Sequence, residues 1–201
     1  MNTKNKITTL VVGLLLTTAS FGQTTETVTD YLGLAKPILF DEGSYNLAWS
    51  AHPTDNYYKQ EYLAQGDTLD RFKRLIIVDV LVGNMKLEDV VASMVDRLNK
   101  LKASNPVVHY QTFEREGEIM LDFLLSQDTP DGKYLSLIER NVYRYKTVTD
   151  KNGQKAVLLF GVSDRAYGDG IDDFFKNLKE HRYDLINAVG TFDIPEITIA
   201  K

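Results

Sequence analysis

The chain has no cysteine, three histidines and one tryptophan in 201 residues. The absence of cysteine excludes disulfides, thiol nucleophiles, iron–sulfur clusters and every cysteine-based zinc site. His52, His109 and His181 stand far apart in no HExxH or i, i+4 pairing, so they predict no metal centre. Basic side chains are outnumbered, with 23 Lys and Arg against 28 Asp and Glu, which argues against nucleic acid as a partner. Long apolar runs are also missing. Leu10 to Leu16 is too short for a bilayer core, which needs about 20 apolar residues, and no comparable run follows, so no transmembrane segment is expected.

That short run sits in a different context. Lys4 and Lys6 precede it, and Thr17, Thr18, Ala19 and Ser20 follow, the layout of a secretory signal over residues 1–22 with Gln23 as the new N-terminus. Removing Lys4 and Lys6 leaves 23 − 2 = 21 basic side chains against 28 acidic ones, a formal charge of −7. The protein is therefore expected to be exported, either periplasmic or extracellular. Residues 23–30, QTTETVTD, read as a flexible tether, and 31–201 as one domain. With 43% hydrophobic and 25% charged residues the composition is that of a globular protein, large enough to fold without disulfides.

Within that domain, Ile38 to Phe40, Tyr45 to Ser50 and Tyr57 to Leu63 are β-prone pieces between turn clusters. Asp67 and Asp70 suggest the cap of a short helix over Thr68 to Leu75. Ile76 to Val82 is nearly continuous and β-branched; periodicity does not separate a buried strand from a continuation of that helix, and the strand end is the favoured reading. Leu87, Val90, Val91, Met94, Leu98 and Leu101 keep helical spacing until Ser104-Asn105-Pro106 closes the helix. Val107 to Glu114, Glu118 to Ser126, Tyr134 to Val148 and Lys155 to Asp164 form a meander, turned at Glu116-Gly117, Asp131-Gly132 and Asn152-Gly153. Asp169 is predicted to cap a last helix from Ile171 to about Val189, its inward stripe being Phe174, Phe175, Leu178, Leu185 and Ile186. The tail with Ile194, Ile197 and Ile199 is expected to dock as a strand. The sum is an α+β fold, an antiparallel meander sheet covered by two or three helices.

Residues 47–75, LAWSAHPTDNYYKQEYLAQGDTLDRFKRL, resemble the opening of a group of small exported proteins of unknown function. The order of elements also resembles the PsbP-like fold, known chiefly from a non-catalytic photosystem subunit. The resemblance implies a sheet sandwiched by helices and an accessory or binding role, and it transfers no site residues.

Other motifs carry little chemistry. Asp164, Asp169, Asp172 and Asp173 lack EF-hand spacing and fit helix capping instead. Glu114, Glu116 and Glu118 flank a turn, where carboxylates are solvated and unsuited to acid–base work. There is no GxSxG elbow and no phosphate loop, and no cofactor is called for. The least ordinary feature is the long strand from Tyr134, which alternates Arg140, Val142, Arg144 and Lys146 with Tyr143 and Tyr145. Together with Tyr57, Tyr58 and Tyr62 this is a hot-spot composition, so Arg140, Arg144, Tyr143, Tyr145, Tyr57 and Tyr62 are the candidate binding residues. The competing expectation is that helices cover the strand and the rings are buried. The expected function is an exported non-enzymatic binding or accessory module of the cell envelope, its partner an envelope protein or small ligand. The alternatives are an envelope hydrolase whose site forms only in three dimensions and a carrier of an apolar ligand.

Overall fold

A computed structural model describes residues 28–34 and 36–199. The expected signal over 1–22, and the tether as far as residue 27, lie outside the described residues. In chain order the elements are β1 (Ile38–Phe40), β2 (Gly43–Thr54), β3 (Tyr57–Ala64), β4 (Arg74–Val82), α1 (Leu87–Lys102), β5 (His109–Arg115), β6 (Glu118–Asp128), β7 (Leu135–Thr149), β8 (Lys155–Tyr167), α2 (Ile171–Glu180) and α3 (Arg182–Thr191).

Local chemistry sets the hairpins. Glu116 and Gly117 both take positive φ, 54° and 77°, between the paired residues Arg115 and Glu118; a two-residue turn of this hand matches the twist of the strands it joins. Asp41 and Glu42 do the same between β1 and β2, at 47° and 64°. An ion pair from Arg74 to Asp41 at 2.6 Å ties that turn down. Asp150 closes the β7–β8 hairpin by accepting the N–H groups of Asn152 and Gln154 at 2.9 and 2.7 Å.

All strand neighbours are antiparallel, in the order β1-β2-β3-β4-β8-β7-β6-β5. Two four-stranded meanders, joined in sequence by α1, thus meet where β4 pairs with β8 from Arg74 opposite Asp164 to Val82 opposite Ala156. β4 takes this inner position because its seven residues from Leu75 to Leu81 are all buried, and a strand apolar on both faces must be covered on both.

This corrects the expected fold class. The early strands are half of one curled eight-stranded half-barrel, 46% of the structure is strand and 23% helix, and three helices do not make a helix-covered, PsbP-like sandwich. The physical reason is that the sheet curls and shields much of itself, so the short helices cover only parts of it.

Each face carries its own core. α1 buries Leu87, Val91, Met94 and Leu98 against Ile119, Leu121, Phe123 and Leu125 of β6 and Tyr143 and Tyr145 of β7. The other face gathers Tyr62, Ile76, Val78, Phe160 and Val162 under Leu185, Ile186 and Val189 of α3. Burial stabilises each such aliphatic side chain by about 1.5–3 kcal/mol.

Three local expectations are also corrected. Residues 67–73 form a loop and not a helix: Asp67 accepts the N–H of Lys73 at 3.1 Å, Phe72 is buried, and the apolar run beyond is claimed by β4. The last helix is two helices, broken at His181, and Asp169 makes no cap hydrogen bond to α2. The tail docks without forming a strand: Ile197 and Ile199 are buried, and Thr198 donates its N–H to the carbonyl of Leu32 at 2.9 Å.

Candidate functional site

β7 keeps the alternation its sequence predicts, but both of its faces are covered. Arg140, only 5% exposed, donates from Nε to Asp122 Oδ1 at 2.9 Å and from Nη2 to the Arg182 carbonyl at 2.6 Å. Arg144 donates to Glu118, and from Nη1 to the carbonyls of Val189 and Phe192 at 3.2 and 2.8 Å. Four strand residues span about 13 Å and the ten of α3 about 15 Å, so the two arginines clip the two ends of that helix.

The tyrosines are buried too. Tyr143 packs edge-on against Phe123, with ring centroids 5.0 Å apart, and Tyr145 lies in the same core. Tyr57 donates its hydroxyl to Asp79 at 2.6 Å. Tyr62 sits in the core beneath α3 and accepts from Gln60 Nε2 at 2.6 Å. The six candidate residues are therefore divided between two faces. They do not form the exposed tyrosine and arginine surface that the alternation suggested, because neither face of β7 is left open.

One of them does border a cavity. A cleft of about 310 Å³ opens between the α2–α3 break and strands β5 to β7, lined by Arg140 with His109, Asp122, Phe123, Leu124, Phe175, Leu178, Lys179 and Arg182. Its floor is apolar and its polar groups converge. Asp122 accepts from Arg140 and also from Arg182 Nη2 at 3.4 Å. Arg182 Nη2 also donates to Gln111 at 3.0 Å, while its buried Nε has no hydrogen-bond partner. Sequence reasoning passed over Asp122, although a lone acid in the apolar segment Ile119 to Leu125 was the available signal. Lys179 and Arg182 gave none, since charges on the last helix read as solvated.

A second group of ionisable residues lies on the face of β3 and β4 turned away from α3. Asp79, 6% exposed, accepts from Tyr57 and faces Lys59 Nζ at 3.5 Å; Lys59 is also 3.8 Å from Glu61. Asp79 Oδ1 is buried with no partner. Burial pushes the Asp79 carboxyl above the usual carboxylate range, and Lys59 and Tyr57 offset this only in part. Glu61 is raised for the same reason, against the pull of Lys59. Neither of the clefts described here is lined by these residues.

A second cleft, about 250 Å³, runs beside the β5–β6 turn and includes Glu88, Glu114, Glu116 and Glu118. Burial alone would raise the Glu118 carboxyl, but Arg144 and Lys146 hold it below the ordinary value. That is the wrong direction for a general acid at neutral pH. Among the described residues, no three His, Asp or Glu side chains converge as metal ligands would, and no helix is long and apolar enough to cross a membrane.

A protein-family model matches residues 32–194. The chain belongs to this family. It is an uncharacterised one, which agrees with the resemblance to proteins of unknown function, and its match takes in every strand and all three helices. No curated protein and no solved structure matches the chain, so the PsbP-like likeness gains no structural neighbour.

Proposed function

We propose that this protein is an exported, non-enzymatic binding module of the cell envelope, and that it holds a small ligand in the cleft between the α2–α3 break and β5 to β7. One observation carries this reading: an apolar lining of Leu124, Phe175 and Leu178 meets converging charged groups, one of them the buried Arg140. Apolar lining with a few placed polar groups is the usual make-up of a small-ligand site. The volume is at the small end for such sites, which favours a small molecule over a peptide.

The reading is tested by a thermal-shift screen of small molecules on the full chain and on Phe175→Asp. Phe175 is 36% exposed, so this variant is expected to fold. A ligand that raises Tm in the parent and not in the variant supports the cleft. The reading fails if nothing shifts Tm, or if both forms shift alike. Export is tested separately by fractionating cells that make the full chain and sequencing the N-terminus of the recovered protein. Recovery in the cytoplasm with an intact leader would overturn it.

A further inference from the structure

The cleft's charge balance narrows its ligand. A single carboxylate, Asp122, faces two guanidinium groups, those of Arg140 and Arg182. Lys179 adds a third cation to the lining and makes no ion pair among the described residues. The lining thus has an excess of positive charge, in a protein whose overall charge is negative.

Arg182 is also the first residue of α3, where the helix dipole disfavours a cation. Its buried Nε–H has no acceptor, and a charged donor left unsatisfied in a buried position is unfavourable. Asp122 is shared: Arg140 donates to both of its oxygens and Arg182 Nη2 reaches Oδ2 at 3.4 Å, so one carboxylate serves two guanidinium groups. Beside these donors stand Leu124, Phe175 and Leu178.

Resting on the reading that this cleft binds a ligand, we infer that the ligand is a small amphipathic anion. Its carboxylate, sulfonate or phosphate is held by Arg182 and Lys179, and its apolar part lies against Phe175 and Leu178. Guanidinium groups suit such oxyanions because they offer parallel donors in a fixed plane.

The test compares two fluorescent probes on the full chain: anilinonaphthalene sulfonate, and phenylnaphthylamine, its uncharged parent. The expected result is that the sulfonate binds about ten-fold more tightly, as one charge-assisted contact allows. Arg182→Gln should remove most of that preference, and Phe175→Asp should weaken both probes. Because Arg182 also touches Asp122, the exposed Lys179→Glu serves as a second variant that leaves the fold's internal pairs untouched; it should reduce the preference as well. Equal binding of both probes, still sensitive to Phe175→Asp, overturns the anion and leaves the cleft standing. Binding of neither probe, or binding indifferent to every variant, overturns the cleft itself. Displacement of the sulfonate by free decanoate supports a soluble acid as the source, and displacement by phosphatidylglycerol vesicles supports a lipid headgroup.

Discussion

At the scale of single residues, the charges buried in this protein act on its stability in opposite directions. Arg140 and Asp122 are each about 6% exposed at the side chain, and removing one partner of a buried pair strands the other. Arg140→Ala is expected to lose about 3–5 kcal/mol of stability, and urea unfolding of the full chain measures it; a loss no larger than that of an exposed arginine would refute the buried pairing. Asp79 works the other way. Its carboxyl titrates above the ordinary value in the folded state, so between that value and the raised one the folded protein keeps a proton the unfolded chain has lost. Stability therefore falls as pH rises through this window. Asp79→Asn should flatten that part of a pH series of unfolding curves, and parallel profiles for the two proteins would contradict it. Glu118, held low by Arg144 and Lys146, contributes stability above the unfolded value that disappears as pH falls through the folded one.

Elements depend on contacts that their own sequences do not contain. α3 buries Leu185, Ile186 and Val189, yet its ends are fixed from β7 by Arg140 and Arg144, which is why one continuous helical pattern divides at His181. β8 needs a gap in its side chains at Gly161, where a Cβ would stand 2.8 Å from the Tyr143 ring. Gly161→Ala should lose about 1–3 kcal/mol through overpacking, and the loss should shrink in a Tyr143→Leu background; an unchanged loss would show that the ring is not the obstacle. The cleft also belongs to this scale. It exists because α2 leaves the path of α3 and exposes Phe175 and Lys179 beside β5 and β6.

For the whole molecule, the two ends of the described chain close one face of the sheet together. Asp30 accepts from the N–H groups of Leu32 and Leu34 and from Gln60, at 3.0–3.2 Å, while Thr198 binds the Leu32 carbonyl and Ile199 reaches Asp150 at 3.4 Å. Burial alone would raise the Asp150 carboxyl, but the N–H groups of Gln154, Ile199 and Asn152 hold it below the ordinary range. Ile199, 3% exposed, is thus core and not a loose end. Ile199→Ala should lose about 2–5 kcal/mol, read by chemical denaturation, and a change within error would mean that the tail does not dock in solution.

Much of the local structure was legible in the chain, because strands, hairpins and α1 follow from periods and turn residues that act over a few positions. Leu87, Val91, Met94 and Leu98 announce α1 by spacing alone, and Glu116-Gly117 announces its hairpin. Long-range pairing was not legible. Nothing near Arg74 states that Asp164 will lie opposite it, ninety residues on, and that register is what joins two meanders into one half-barrel. The candidate site depends on the same kind of information. The alternation of Arg140 and Arg144 with Tyr143 and Tyr145 is written in the sequence, but whether those residues face water or a helix depends on where α1 and α3 come to rest. Burial is a property of the packed molecule, so tertiary structure alone decided that the arginines would serve α3, that Asp79 would be buried on its strand, and that Arg182 would join Arg140 at the single carboxylate of Asp122.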